Sequence, residues 1–167
     1  MQIARKFAFS AAVAALMAVA GAASAQEGGK LKLGTEGAYP PFNSVTADGK
    51  LVGFDVEIGN ALCAQMKVEC EWVTQDWDGI IPALQGGKFD ALIASMTITE
   101  ERAQQVDFTN RYYTTPLALI APKDSELTSP EPDALKGKTV GAQASTTQSI
   151  YAEDHYAKAG ADVKLYP

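Results

Sequence analysis

The stretch DALIASMTITEER, residues 90–102, decides which fold this chain is expected to adopt. Its apolar run at residues 91–94 predicts a buried strand. Thr99 is a favourable helix N-cap, and the two glutamates that follow it suit the first turn of a helix. The stretch therefore predicts a strand end, a loop that carries hydroxyl groups and a helix start, in that order.

The loop and helix start in this stretch carry groups that suit a carboxylate. Backbone N–H groups, the hydroxyls of Ser95 and Thr97 and the guanidinium of Arg102 are expected to surround one small space. Arginine presents a planar fork of donors to a carboxylate, and helix N-termini attract anions. On these residues alone, a surface arginine beside an ordinary helix cap is an open alternative.

The chain before this stretch predicts strands and helices in alternation. Strands are predicted at residues 30–35, 70–73 and 90–94, and helices begin at Asp55 and near Asp78. This order is typical of a parallel α/β sheet, in which ligands bind beyond the carboxyl ends of the strands. Several side chains fall just past such strand ends, and this convergence is the main reason to predict a binding site. They are Glu36, Tyr39, Trp77, Ser95, Thr97 and Arg102.

The helix that begins at Asp55 is expected to use this residue as its N-cap. Ile58, Leu62 and Met66 recur at four-residue spacing, which predicts the buried face of the helix. The Asp-Gly pair at residues 48–49 predicts a hairpin-type turn before it.

The C-terminal part of the chain predicts a second unit. Residues 117–120 form an apolar run that predicts a strand, and the following loop, residues 121–133, is rich in Pro, Ser and Asp. Residues 139–142 predict a further strand, and residues 145–147 cap the helix expected after them. This unit has only about 45 residues, whereas domains normally exceed about 50, so the chain is interpreted as truncated within it.

Composition and charge exclude several classes of function. The chain has 14 basic and 20 acidic residues and a formal net charge of −6, which is unfavourable for binding nucleic acid or an anionic membrane. One histidine in the whole chain leaves few ligands for a metal. No metal, no cofactor and no catalytic residue is therefore predicted.

The N-terminus predicts export. Arg5 and Lys6 precede an apolar run at residues 7–20, and Ala-Ser-Ala at residues 23–25 fits a cleavage site. Residues 1–25 are therefore predicted to be a secretory signal peptide, with an uncleaved membrane anchor as the alternative. Its removal would leave 12 basic and 20 acidic residues, or a net charge of −8.

Cys63 and Cys70 are the two cysteines of the chain. An even number of cysteines in an exported protein favours a disulfide. Their spacing matches neither a C-x-x-C redox pair nor a zinc knuckle. A free or reactive thiol is the alternative.

Taken together, five stretches resemble the periplasmic solute-binding proteins of ABC importers for polar amino acids. The resemblance covers essentially all of residues 26–167, and the spacing of Cys63 and Cys70 is similar to that in the lysine/arginine/ornithine- and histidine-binding subset. The matching stretches are GTEGAYPPF (34–42), GFDVE (53–57), WDGIIPAL (77–84), DALIASMTITEER (90–102) and LKGKTVG (135–141).

The resemblance implies two α/β lobes, the type II arrangement, which enclose a ligand when a hinge closes. It assigns residues 26–115 to a first lobe that lacks its C-terminal return, residues 116–120 to the first hinge strand and residues 121–167 to the start of the second lobe. The acidic residue that would hold the ligand α-amino group is expected beyond residue 167.

The resemblance also implies roles for single residues at the ligand carboxylate and in the second lobe. Arg102 would bind the α-carboxylate, helped by Thr97 and by the backbone near Ser95. Thr146 and Thr147 match second-lobe positions that contact the ligand.

Further roles concern the ligand side chain. Tyr39 and Trp77 match positions whose rings enclose it, with core packing as the alternative. Glu36 resembles the position of a carboxylate that binds a distal amine or guanidinium, with a solvated loop acid as the alternative. Charge pairing and ring stacking make these groups a coherent pocket for a cation.

The resemblance implies the function of a monomeric periplasmic receptor for arginine, lysine, ornithine or histidine. Such a receptor delivers its amino acid to an ABC transporter permease in the inner membrane. A lyase or dehydratase on the same fold is one alternative, and it would need an acid–base pair in the cleft. Glu36 is the clear candidate there, because His155 falls in the predicted second-lobe helix. The ligand-sensing domain of a signalling receptor is the other alternative.

Overall fold

The computed structural model describes residues 29–167. Residues 1–28, which include the predicted signal peptide and its cleavage site, lie outside the described residues. The strands are β1 (Lys30–Thr35), β2 (Ala38–Tyr39), β3 (Asn43–Val45), β4 (Leu51–Val52), β5 (Glu69–Thr74), β6 (Ala91–Leu92), β7 (Thr139–Gln143) and β8 (Asp162–Tyr166). The α-helices are α1 (Phe54–Met66), α2 (Ile80–Gln85), α3 (Glu100–Ala103) and α4 (Thr147–Tyr151).

A parallel three-stranded sheet in the order β5-β1-β6 lies at the centre of the N-terminal part. β1 pairs with β5 along its whole length and with β6 at Leu33 and Gly34. α1 precedes β5 and α2 precedes β6, so the predicted alternation of strands and helices is confirmed. Because the strands are parallel, the loops that follow β1, β5 and β6 leave the sheet at the same edge.

The core beside this sheet consists of Ile80, Phe89 and Ala94, all nearly inaccessible to solvent. Gly34 is part of the same packing, because a Cβ there would lie 2.5 Å from the Phe89 ring. The predicted disulfide is confirmed: Cys63 and Cys70 are bonded and connect α1 to the start of β5.

An antiparallel sheet, β2-β3-β4, precedes α1 and positions Tyr39, the last residue of β2. Tyr39 pairs with Asn43, and Val45 pairs with Leu51 across the predicted turn at residues 48–49. The turn prediction is therefore confirmed.

The C-terminal part has its own small core. β7 and β8 pair in parallel, and the helical segment between them buries Ala152 and Tyr156 against Leu135 and Val140. This segment is α4 followed by a π-helical stretch, Ala152–Ala157, so the predicted helix is confirmed. The sequence analysis missed β8, although Val163 and Leu165 alternate with polar residues there.

Two expectations about α1 are wrong. Gly53 precedes the helix with φ of 127°, and Asp55 lies inside the first turn with no capping role. Leu62 and Met66 are 51% and 52% exposed, and the buried face instead contains Gly59. A Cβ at this glycine would lie 2.6 Å from the Trp72 ring, so the helix packs through its smallest residue. Val56 and Cys63 are the other apolar residues of α1 that are buried.

The predicted strand at residues 117–120 does not form in the described chain. A strand needs a ladder partner, and residues 107–121 have no pairing segment within residues 29–167. The division into lobes with a hinge at residues 116–120 stays a prediction. Within the described part of the chain, no helix combines the length and the apolar composition needed to cross a bilayer.

Candidate functional site

The eight side chains predicted to contact a ligand all line one cleft of about 280 Å³ between the N-terminal and C-terminal parts. The cleft lies beyond the carboxyl ends of the parallel strands, where such sheets bind ligands. That the eight residues contact a ligand stays a prediction. They are Glu36, Tyr39, Trp77, Ser95, Thr97, Arg102, Thr146 and Thr147.

Arg102 is held in a defined orientation at this cleft. Thr99 caps α3 as predicted, because its side chain accepts a hydrogen bond from the backbone N–H of Arg102 at 3.2 Å. The guanidinium donates from Nη1 to the carbonyl of Thr97 at 2.9 Å and from Nη2 to the carbonyl of Ser145 at 3.0 Å. Its Cζ lies 5.4 Å from the centre of the Trp77 ring, which is a cation–π distance.

The surroundings of Arg102 shift its pKa but leave the guanidinium charged. Burial lowers the pKa of the guanidinium, and the nearby charge of Glu101 opposes this shift. An arginine stays protonated in proteins even so, and a partly desolvated cation attracts an anion more strongly than a solvated one. The site therefore has a fixed positive charge.

The carbonyl of Ser145 joins the two parts of the chain. It accepts hydrogen bonds from the Trp77 indole N–H and from Arg102, both at 3.0 Å. Ser145 has a left-handed backbone, with φ of 59°, directly before the capping residue Thr146. Thr146 and Ser149 form a reciprocal capping box, which confirms the predicted helix start.

Glu36 lies on the loop that follows β1, and Tyr39 ends β2, the short strand after that loop. Glu36 is partly buried and accepts a hydrogen bond from the side-chain amide of Gln143, so it is not a freely solvated loop acid. The Tyr39 ring stacks on Phe42 at 5.0 Å between ring centres and keeps 38% of its surface exposed. Trp77 packs against the core beside the sheet and also lines the cleft, so the core packing is observed and the contact with a ligand stays a prediction.

A buried hydrogen-bond network supports the cleft from behind, and the sequence analysis missed it. The Asp55 carboxylate accepts hydrogen bonds from Asn43 Nδ2 at 2.8 Å, from Ser95 Oγ at 2.9 Å and from the Tyr112 hydroxyl at 2.8 Å. The Tyr112 hydroxyl in turn accepts from the backbone N–H of Ser95 at 2.9 Å. Burial and the Asp55 carboxylate raise the pKa of Tyr112 to about 12.

The residues that the sequence analysis missed differ in how clearly the sequence indicated them. Asp55 lies in the stretch GFDVE, which carried part of the resemblance, but its short side chain suggested a cap. Gln143 falls just past the strand predicted at residues 139–142, as the chosen site residues fall past theirs, and could have been selected by that rule. No sequence pattern indicated Tyr112, because its partner Asp55 lies 57 residues earlier in the chain.

Few of the described side chains in the cleft could transfer a proton or bind a metal ion. Among the described residues that line it, Glu36 is the sole carboxylate, and no histidine is present. The His155 ring packs on Tyr151 at 4.3 Å, away from those residues. Within residues 29–167, no group of His, Cys, Asp and Glu side chains is arranged to hold a metal ion.

The described chain thus combines a parallel α/β sheet with a charged and aromatic cleft at its carboxyl edge, where sheets of this type bind small molecules. Sequence comparison gives the family: residues 31–160 match the bacterial extracellular solute-binding proteins, family 3. The chain belongs to this family, and the resemblance noted in the sequence is confirmed.

Individual relatives agree with this assignment. The chain is 50% identical over 136 residues to the L-arginine-binding protein of Pseudomonas aeruginosa, covering 81% of this chain and 52% of the relative. It is 42% identical over 136 residues to the lysine/arginine/ornithine-binding periplasmic protein of Escherichia coli, with coverage of 81% and 52%. The chain thus spans about half the length of these curated relatives.

A solved structure supports the same fold. An ancestral arginine-binding protein bound to arginine superimposes with a TM-score of 0.77 at 42% identity, covering 83% of this chain and 61% of that one.

Proposed function

We propose that this chain is part of a periplasmic receptor for a cationic amino acid. The observation that carries the proposal is the cleft itself, which is lined by one guanidinium, one carboxylate and two aromatic rings: Arg102, Glu36, Tyr39 and Trp77. An amino acid with a cationic side chain has the complementary groups, namely a carboxylate, a second charge of opposite sign and an apolar stem.

Arg102 has the donors that a ligand carboxylate needs. A guanidinium has five N–H donors. Two of them are used by the carbonyls of Thr97 and Ser145, so three remain. The two protein bonds fix the plane of the group, and a fixed plane reduces the entropy lost when a carboxylate binds.

The ligand side chain would contact the remaining groups. A cationic head would pair with Glu36, and its stem would lie between the rings of Tyr39 and Trp77. Gln143 already donates to Glu36, so the carboxylate is positioned before the ligand arrives.

The cellular setting belongs to the same proposal. We infer a periplasmic location, delivery of the ligand to an ABC transporter permease and a monomeric receptor. The periplasmic relative supports the location by its name, and the names of both relatives describe binding. Binding without catalysis is further supported by the sparse acid–base groups of the cleft.

Calorimetry on the protein that carries this chain tests the proposal. Arginine, lysine, ornithine and histidine should bind more tightly than glutamine in the wild type. Glu36→Gln should weaken arginine and lysine by tenfold or more, about 1.4 kcal/mol, and glutamine much less, because only a cation loses a charge-assisted bond.

The matched control is Glu57→Gln, which removes the same charge from an exposed position on α1. It should leave all affinities unchanged. Equal losses for arginine and glutamine in Glu36→Gln would refute the assignment of a cationic ligand.

A further inference from the structure

Asp55 is a buried carboxylate that receives hydrogen bonds from three distant segments. It is completely inaccessible to solvent, and its partners Asn43, Ser95 and Tyr112 lie 12, 40 and 57 residues away in the chain. Its position in the first turn of α1 places the negative charge at the positive end of a 13-residue helix. The function proposed above assigns no role to this residue.

One branch of this network leads to the arginine of the cleft. Ser95 has a left-handed backbone with φ of 50°, which is uncommon for a residue other than glycine. Two bonds hold it there, from Ser95 Oγ to Asp55 and from its backbone N–H to Tyr112. Two residues later, the carbonyl of Thr97 accepts from Arg102 at 2.9 Å. Asp55 therefore fixes the loop that orients the guanidinium.

The other branch leads to the loop after β1. Asn43 donates to Asp55 through Nδ2 and accepts from the backbone N–H of Gly37 through Oδ1, both at 2.8 Å. Gly37 lies between Glu36 and Tyr39, which line the cleft. One carboxylate is thus connected to both ligand-facing loops of the N-terminal part.

We infer that Asp55 is a positioning residue that sets the two ligand-facing loops relative to each other, and with them the orientation of Arg102. The inference rests on the proposed function, because its first test measures the binding of arginine. It does not require Asp55 to touch the ligand.

The direction of the hydrogen bonds makes the inference specific to a carboxylate. All three partners donate, and a carboxylate can accept at both oxygens. In Asp55→Asn an NH₂ group replaces one of the two accepting oxygens. It would face either the hydroxyls of Ser95 and Tyr112, whose bonds to residue 55 would then be lost or reversed, or the donor Nδ2 of Asn43. If the amide of Asn43 turned over to accept this bond, its own NH₂ would face the N–H of Gly37, so a conflict between two donors would persist.

Exchanging the two side chains removes this conflict. In the double variant Asn43→Asp, Asp55→Asn, the amide of residue 55 donates to the carboxylate at residue 43. That carboxylate also accepts from Gly37, and the oxygen of residue 55 still accepts from Ser95 and Tyr112. The exchange restores every bond with the same number of charges.

The experiment compares arginine with argininamide, which lacks the carboxylate, by calorimetry. In the wild type, arginine should bind far more tightly. Asp55→Asn should reduce the ratio of the two affinities at least tenfold, because a loosened Arg102 no longer favours the carboxylate. The exchanged double variant should restore the ratio to within threefold. Asp48→Asn, which removes an exposed carboxylate in the turn after β3, is the matched control and should change nothing.

Tyr112→Phe covers the case in which Asp55→Asn does not fold. It removes the acceptor of the Ser95 N–H and one donor to Asp55, and it should also reduce the affinity ratio. An unchanged ratio in Tyr112→Phe and in every folded Asp55 variant would overturn the inference.

Amide hydrogen exchange tests the same inference without a ligand. Asp55→Asn, or Tyr112→Phe in its place, should speed exchange in the loop residues 37–39 or 95–97 and leave β1 and β5 unchanged. A purely structural role would speed exchange throughout the sheet, which would contradict the inference. A wild type that binds no arginine would refute the proposed function, and the exchange measurement would still decide the role of Asp55.

Discussion

At the scale of single residues, Arg102 is held in place by several contacts at once. Its backbone N–H satisfies a helix cap, its guanidinium bonds to two carbonyls, and Trp77 lies beside it. The carbonyl of Ser145 comes from the C-terminal part, so the orientation of Arg102 depends on both parts of the chain. A residue held in this way is expected to select the geometry of its partner as well as its charge.

Replacement of Arg102 tests this directly. Arg102→Ala should weaken arginine binding by at least 100-fold, about 2.7 kcal/mol, because the ligand carboxylate loses its partner in a partly desolvated site. Arg102→Lys should recover little, since an ammonium cannot form the bidentate contact. Calorimetry measures both, and Arg111→Ala is the control because that exposed arginine does not line the cleft. Binding of Arg102→Ala within threefold of wild type would refute the anchor.

Tyr112 provides a prediction about pH. Its pKa in the folded chain is about 12, above the ordinary value of about 10, so the neutral phenol stabilises the fold below pH 10. This contribution should be lost as the pH rises through about 12. Burial also raises the pKa of Tyr156, so late titration has more than one source. In an absorbance titration of the tyrosines, Tyr112→Phe should reduce the step near pH 12 by one phenol. Tyr113→Phe is the control, and a step near pH 12 of the same size in the wild type and in Tyr112→Phe would contradict the assignment.

At the scale of secondary-structure elements, the alternation of strands and helices could be predicted because β1 and β5 are short segments in which charged and apolar residues alternate, and β6 lies in an apolar run. The cleft could be predicted because parallel strands end at one edge, a rule that needs no side-chain detail. The buried face of α1 was predicted wrongly, because the four-residue spacing selected Leu62 and Met66, which are exposed, and the buried Val56 and Cys63 are joined on their face by a glycine. The Asp55 network could not be predicted, because it joins residues up to 57 positions apart.

The disulfide between Cys63 and Cys70 belongs to this scale, because it joins the end of α1 to the start of β5. Reduction should lower the free energy of unfolding by about 2.5 kcal/mol on the chain-entropy account of so short a loop. Neither cysteine lines the cleft, so the affinity for arginine should change little. Thermal unfolding and calorimetry with and without reductant test both statements. A large loss of affinity in reduced protein that is still folded would contradict this prediction. It would mean that a change at the end of α1 alters the shape of the cleft.

At the scale of the whole molecule, the cleft is a junction between two separately packed parts. The N-terminal part has its core at Ile80, Phe89 and Ala94, and the C-terminal part has its core around Val140 and Tyr156. Side-chain hydrogen bonds cross the cleft: Gln143 donates to Glu36, and Trp77 and Arg102 both donate to the carbonyl of Ser145. A ligand that occupies the cleft must share or replace these bonds, so its binding is expected to change how the parts meet.

Trp77 can report this change, because its indole N–H donates to Ser145 across the cleft at 3.0 Å. The chain has two tryptophans, and the other, Trp72, packs on α1 and donates to Asn60. In Trp72→Phe, arginine should therefore shift the tryptophan emission as the indole changes its surroundings. In Trp77→Phe, the emission of Trp72 should stay constant while calorimetry detects any remaining binding. If arginine binds but shifts the emission of Trp72 and not that of Trp77, the cleft described here is not where the ligand lies.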